Sequence, residues 1–364
     1  MAFSNELNRS ASSLPNDSLI SGSSIKSSLD TIYNLYNRNS IDNVIDWEDH
    51  GVVVDNGFNA YYPTLIYDAR YFDEDNGPKF KCWYSYGGGT SIRLITSNDA
   101  ISWSAPVALT GFTTNAHHAH VVYNRSGFGS QSDIKYKMWY WDSGVATYTI
   151  DRIRYAESID GINWVNDQAV TQDATYKLIS GNFGDWNAST WGFQKVFYQG
   201  NAKNTGTNPW DYNYVAYYDA NTGTTYQTTG LAYSVDGISW FNRQTQPTLN
   251  RSYDNVAAWD YYSASFGSII RDINGFHFWY TGGIFSGNTD NYGIGYAHSE
   301  DGFVWMRDSS NPIFSVIDGQ TYRDERCYTP SIVDDGYGTL YMFYTAQGTA
   351  QTGRKKLALA TLKY

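Results

Sequence analysis

From residue 46 onward the chain is written in short runs of alternating apolar and polar residues, each cut by Gly, Asn, Asp or Ser. A period of two puts successive side chains on opposite faces of a strand, so the runs read as strands and the cuts as turns. The runs recur in a fixed order. First come "YPTLIYDA", "AHVVYNR", "KVFYQG" and "SIIRD". Then come "FKCWYSY", "YKMWYWD", "NYVAYYD" and "FHFWYTG", and after them "IRLITSN", "RIRYAES", "TGLAYSV" and "GIGYAHS". Each third run leads into one motif: "SNDAISW" at 97–103, "SIDGINW" at 158–164, "SVDGISW" at 234–240 and "SEDGFVW" at 299–305.

Three of the four copies carry Asp-Gly, which favours the positive φ angles of a tight hairpin turn. The motif is therefore a turn between the third and fourth strands of a repeated unit. Its Ser and Asp are expected to bond nearby backbone amides, and its Trp to pack between sheets. The motif tryptophans are spaced by 61, 76 and 65 residues, the length of a four-stranded unit with loops.

The two ends of the chain complement each other. "YTPSIVDD", "LYMFYTA" and "KLALATLKY" supply three strands of a last unit, and the chain stops. "DWEDHGVVVD" at 46–55 resembles the segment after each motif Trp and supplies the fourth. That closes a ring and removes exposed sheet edges. The pattern predicts an all-β, five-bladed β-propeller over 45–364, its last blade closed by an N-terminal strand. A β-sandwich with coincidental Trp turns is the alternative.

Residues 1–44 differ. "NRSASSLPNDSLISGSS" is a polar linker. "SSIKSSLDTIYNLYNR" then spaces Ile25, Leu29, Ile32, Tyr33 and Tyr36 as one stripe of a short amphipathic helix. A lone stripe of about four turns cannot stand alone in water, so it must meet the propeller, copies of itself or a partner.

Composition narrows the functions. A net charge of −11 argues against nucleic acid as a partner, because phosphate neutralisation needs cations. The densest basic stretch, "GRKK" at 353–356, reads as a solvated strand start. No apolar run is long enough to insert in a membrane, and no secretory signal precedes the repeats. Cys82 and Cys327 make no disulfide framework and read as buried thiols. The chain holds 33 Tyr, 17 Phe and 13 Trp, more than inter-blade cores need; with abundant Asn, Ser, Thr and Gly they suit carbohydrate. No cofactor is called for.

The Ser-x-Asp-Gly-x-x-Trp hairpins and the closing "YTPSIVDDGYGTLYMFYTA" resemble the five-bladed propeller of the arabinanase, levansucrase and invertase glycoside hydrolases over 45–364. The resemblance implies three carboxylates reaching the central funnel from innermost strands, one as acid and one as base or nucleophile. This chain places Tyr62, His118, Phe193, Phe266 and Thr329 at the corresponding strand starts, so the family's catalytic residues are not matched. Asp260 and Glu325 are the best spare carboxylates, catalytic only if the protein is an enzyme. Asp185 and Asp324 lie nearby, and the plainer expectation is that these carboxylates bond loop amides or arginines. "HHAH" puts His118 and His120 on one strand face, a weak candidate metal pair. The tail "SGSSIK" and its helix resemble attachment segments of bacteriophage tail appendages, which implies a tail or baseplate partner through 1–44 and a virion or extracellular location.

The reading is a glycan-recognising propeller, a host-recognition module whose funnel mouth is lined by Tyr61, Tyr62, His118, His120, Trp186, Trp191 and Tyr328. Asp260 and Glu325 are expected at the same mouth. A glycoside hydrolase acting on a polysaccharide is the alternative, and a structural protein-interaction propeller the third.

Overall fold

A computed structural model describes residues 46–364, apart from 75–76, 113–114, 130, 132, 146–148, 201, 224–225, 287–288, 317–320 and 350–352. The linker and helix expected over 1–44 lie outside the described residues. Among the described residues regular structure is strand, with three single-turn 3-10 segments. Among the described residues no helix is long and apolar enough to cross a membrane.

The strands pair antiparallel in successive groups. The first is β2 (Ala60–Tyr67), β3 (Phe80–Tyr86), β4 (Ser91–Ser97) and β5 (Val107–Ala108), given that β1 (Glu48–Val54) belongs elsewhere. The second is β6 (Ala116–Tyr123), β7 (Tyr136–Asp142), β8 (Ile153–Ser158) and β9 (Trp164–Ala169), followed by the short β10 (Thr171–Gln172). The third is β11 (Ser189–Tyr198), β12 (Tyr214–Asn221), β13 (Gln227–Ser234) and β14 (Ser239–Phe241). The fourth is β15 (Ser263–Asp272), β16 (Gly275–Ser286), β17 (Thr289–Ser299) and β18 (Met306–Arg307). The last is β19 (Arg326–Asp334), β20 (Thr339–Gln347) and β21 (Lys355–Lys363), and β1 pairs on β21 as its outermost strand. The N-terminal closure expected from "DWEDHGVVVD" is therefore present.

Apolar cores lie between consecutive groups, the last against the first included. Val54, Leu65, Cys82 and Tyr84 pack with Phe343, Leu357 and Leu359. Cys327 is buried between the fourth and last groups, and both thiols are free and buried, as expected. The first strands of the groups line one axial channel, which makes the molecule a β-propeller.

The repeated motif does two jobs. In the second copy the Ser158 hydroxyl donates to Asp160 (3.0 Å) and accepts from the Gly161 amide (2.9 Å). The Asp160 carboxylate accepts from the amides of Ile162 and Asn163, both at 2.8 Å. Ser234 with Asp236 and Ser299 with Asp301 repeat this pattern. The second job joins sheets. Trp83 of the first group donates its indole N–H to the Gly161 carbonyl at 2.9 Å, and Trp139 donates to Gly237 at 2.7 Å. The Tyr217 hydroxyl donates to Gly302 at 2.8 Å. Each glycine thus needs its positive φ (80° at Gly161) and its missing side chain, since a Cβ there would meet Trp83 at 2.8 Å. The first copy carries Ala100 instead, and the preceding sheet presents Phe343 beside its Trp103, a ring with no proton to donate.

Candidate functional site

The channel-lining strands break step at their starts. Pairing shifts between Tyr61 and Thr64, His117 and His120, Ser265 and Ser268, and Tyr328 and Ser331. Inside these bulges Tyr62, His118, Phe266 and Thr329 hold φ between 44° and 52°. L-residues avoid that region without local compensation. Part of the compensation is polar: the strained amides of Tyr62, His118 and Thr329 donate to Thr345, Ser85 and Thr281 of the preceding sheet. In the third group the register places Phe193 at the corresponding position, as expected, and the positive φ falls one residue earlier, at Gly192.

The bulges turn three rings toward one another. Tyr62 stacks on His118 with centroids 4.4 Å apart, and Phe266 lies 5.7 and 5.4 Å from the two. The cavity beside them, lined also by His120, Gln194, Lys195 and Ser268, has a volume of about 60 Å³. A cavity of about 150 Å³ is what takes up one benzene, so a sugar ring does not fit there. Recognition of anything larger falls to the mouth above the rings.

At the mouth the Tyr61 hydroxyl meets His117 Nε2 at 3.1 Å, and Trp191 stands edge-on to Trp141 at 4.7 Å. The Trp191 carbonyl bonds His118 Nδ1 at 3.1 Å. Tyr328 lies 6.3 Å from Tyr62 and 5.8 Å from Tyr292. Burial, first, and neighbouring positive charge pull the His117 pKa down to about 3. Burial pulls His118 down to about 4 against its bond to Trp191. Both imidazoles are neutral at pH 7, and burial drives the Tyr62 phenol upward, so the mouth's rings are uncharged.

Of the mouth residues expected from sequence, the structure brings together Tyr61, Tyr62, His118, Trp191 and Tyr328. His120 lines the channel beyond the three rings, beside Lys195. The bulge at His118 breaks the alternation that would have aligned it with His120. Among the described residues no group of three or more His, Cys, Asp or Glu stands ready for a metal. Trp186 packs instead on Tyr218, in the core between the second and third groups. Asp260 is 1 % exposed, pairs with Arg307 at 2.8 Å and lies 3.3 Å from the Tyr280 hydroxyl, within its own sheet group. The trio Asp167, Arg154 and Tyr140 makes the same arrangement in the second group, so this is frame chemistry. Glu325 accepts from Gln347 Nε2 at 2.9 Å, Asp324 from Thr349, and Asp185 sits 3.3 Å from Asn182 Nδ2.

Sequence reasoning passed over His117, Trp141, Phe266 and Asp219 as site residues. Asp219 is fully buried, opposite Gly192, and takes the place that Ser85, Thr281 and Thr345 hold in their sheets. One carboxyl oxygen accepts from Ser265, and Oδ2 has no partner among the described residues. Burial drives its pKa well up, which favours the protonated form. The available signal was positional: an Asp directly after the last Tyr of "YVAYYD", where three sister strands carry Ser or Thr and the fourth carries Trp141.

No family model and no curated protein matches the chain. Solved structures do. A glycoside hydrolase matches with a TM-score of 0.59 at 15 % identity, over 87 % of this chain and 91 % of that one. A thermostable family-43 glycoside hydrolase matches at 0.52 and 14 % identity, over 85 % and 92 %. An N-acetylgalactosamine deacetylase from F. plautii, solved with blood group B trisaccharide, matches at 0.53 and 13 % identity, over 87 % and 94 %. The likeness establishes the fold: this chain is a β-propeller of the kind on which glycoside hydrolases are built.

Proposed function

We propose that the chain is a five-bladed, glycan-binding propeller that uses the glycoside hydrolase frame without its hydrolytic carboxylates. The observation that carries this reading is the set of strand-start residues. Where hydrolysis needs an acid and a base flanking one bond, the described residues present Tyr62, His118, Phe193, Phe266 and Thr329. Around them stand Tyr61, Trp141, Trp191 and Tyr328, rings able to stack on the C–H face of a sugar. Residues 1–44 support a setting as an exported or virion-attached host-recognition module, docked through a tail or baseplate protein.

Hydrolysis is the second reading, favoured by the fold and by Asp219, a buried acid whose pKa burial raises and whose Oδ2 has no partner among the described residues. Titration of the full chain with a polysaccharide panel, alongside an assay for reducing ends, separates the two. We expect saturable binding without release of reducing sugar. Release that vanishes in Asp219→Asn would establish the hydrolase, since a positioned acid contributes about 10²–10⁴-fold.

A further inference from the structure

The "GRKK" stretch is not a solvated strand start. Lys356 is 2 % exposed and ion-pairs with Asp55 at 2.5 Å. Lys355, one residue before it, points the other way along the strand alternation and holds its ammonium 4.4 Å from the centre of the Tyr61 ring. Register places it in a row. Tyr292 stands beside Arg326, Arg326 opposite Gln347, and Gln347 opposite Lys355. Directly paired residues project from the same face of a sheet. The row therefore runs from the Tyr292 ring, over which Arg326 sits at 5.4 Å, to the Tyr61 ring under Lys355.

Lys195, in the channel, and Lys355, in this row, have no carboxylate partner among the described residues, whereas the other lysines removed from solvent do. The buried lysines Lys81, Lys137 and Lys356 each have a carboxylate partner, Glu74, Glu157 and Asp55. Lys355 is half-buried, and among the described residues no carboxylate lies within ion-pairing distance of its ammonium. Burial, and then the neighbouring Arg326, push its pKa down, so the site holds a cation at a cost that no carboxylate among the described residues offsets. Glu325, the acid of the row, is bonded to Gln347 Nε2. The other end of that amide, Gln347 Oε1, is buried and has no donor. Among the described residues a cation without a carboxylate and an acceptor without a donor thus stand side by side between aromatic rings, on a chain whose net charge of −11 repels anions at large.

We infer that the mouth is built for a carboxylate-bearing sugar. The Lys355 ammonium takes the carboxylate with Arg326 beside it, Gln347 Oε1 accepts from a neighbouring sugar hydroxyl, and Tyr61 faces the ring. This rests on the glycan-binding reading and names the substrate class for the same mouth.

Calorimetric titration of the full chain tests it with matched probes. These are a galacturonate trisaccharide, a glucuronate-containing hyaluronan tetrasaccharide and sialyllactose, each beside its carboxyl-reduced neutral form. At least one acidic probe should bind about tenfold tighter than its reduced form, the scale of one charge-assisted contact. Which probe does so separates uronates from sialic acid. The preference should shrink with added salt, disappear in Lys355→Met and persist in Lys355→Arg, with the melting temperature of both variants close to the parent's. Equal binding of acidic and reduced forms, or a preference that survives Lys355→Met, would overturn the inference and leave the glycan reading standing. Binding of neither form would overturn both.

Discussion

The outer turns and the channel mouth are built from the same repeat and have opposite characters. At the turns, Ser158, Ser234 and Ser299 make one hydrogen-bond pattern three times, each turn locked by an indole or phenol from the preceding sheet. At the mouth the equivalent positions are Tyr62, His118, Phe193, Phe266 and Thr329, four residue types in five places. The bulge that holds them recurs, but no single side chain fills it throughout. Positions that carry the ring must satisfy one geometry in every sheet, so one residue type serves throughout. Positions on the axis face a single shared space, so each can differ, and the difference is where chemistry enters. The row of Arg326, Gln347 and Lys355 belongs to the second kind.

The largest effect that would break this contrast is loss of the closure. Asp49 in β1 accepts from Tyr344 at 2.9 Å and pairs with Arg323 at 3.1 Å, and Trp47 packs edge-on against Trp279. Removing residues 1–56 strips all of this and bares the edge of β21. The truncated chain should fail to give a cooperative melting transition, whereas removal of 1–40 should leave the propeller's transition in place. A chain lacking 1–56 that melts like the parent would mean the ring does not depend on β1.

Next come the turn glycines. Gly161→Ala forces a side chain into the left-handed region and toward Trp83, 2.8 Å from the new Cβ. We expect a loss of about 2–4 kcal/mol in denaturant unfolding, strain and overpacking together. Gly181 also has positive φ (76°) but nothing within 4 Å of a built Cβ, so Gly181→Ala should cost only the conformational part, about 1 kcal/mol. Equal losses would show that the inter-sheet latch adds nothing to the turn.

These turns were legible in the sequence because their chemistry is local: Ser, Asp and Gly act within four residues of one another. The closing strand was legible because a missing strand at one end matched a surplus run at the other. The mouth was only partly so. Period-two alternation assigns faces correctly until a bulge intervenes, and at His118 it separates two imidazoles that the pattern had aligned. Asp260 looked available because Arg307, its partner, comes from another strand of its group, far along the chain. Trp186 read as a mouth aromatic, yet the fold packs it against a core. Lys355 and Lys356 read as one basic patch, but alternation sends one to Asp55 and the other to the mouth.

Asp219 gives a smaller and pH-dependent effect. Its folded pKa is raised above its unfolded value, so the folded state holds its proton more tightly. The stabilisation this supplies is complete below the unfolded value, about 3.9, and is lost progressively as pH rises toward the folded one. Asn in its place keeps an acceptor for Ser265 and cannot ionise. The melting temperature of Asp219→Asn minus that of the parent should therefore increase from pH 4 to pH 8. Subtraction matters, because Glu157, Asp160 and Asp301 have lowered values and move the parent in the opposite direction. A difference that stays flat across that range would mean Asp219 is ionised in the fold, and would turn it from a neutral hydroxyl mimic into a buried anion.

The smallest effect on stability is expected at Trp191, and there the contrast between frame and mouth is sharpest. Trp191 is half-exposed and touches Trp141 through an edge contact, while its role in holding His118 is played by its backbone carbonyl. Truncation to Ala removes the ring and leaves that carbonyl in place. Little core is lost, so unfolding should shift by about 1 kcal/mol or less, the worth of one aromatic pair. Binding should suffer more. A ring that covers a sugar face contributes on the scale of a buried aromatic contact, so glycan affinity should fall by about 1–3 kcal/mol, or roughly 5- to 150-fold. Trp164→Ala provides the opposite case: that ring is 2 % exposed and packs within 6.2 Å of Phe112 between sheets, so it should cost about 3–5 kcal/mol of stability. Its affinity per folded molecule should stay near the parent's. If Trp191→Ala instead destabilised the chain as much as Trp164→Ala, while its folded fraction bound glycan normally, the mouth aromatics would be frame residues, and the recognition surface would have to be sought elsewhere on the propeller.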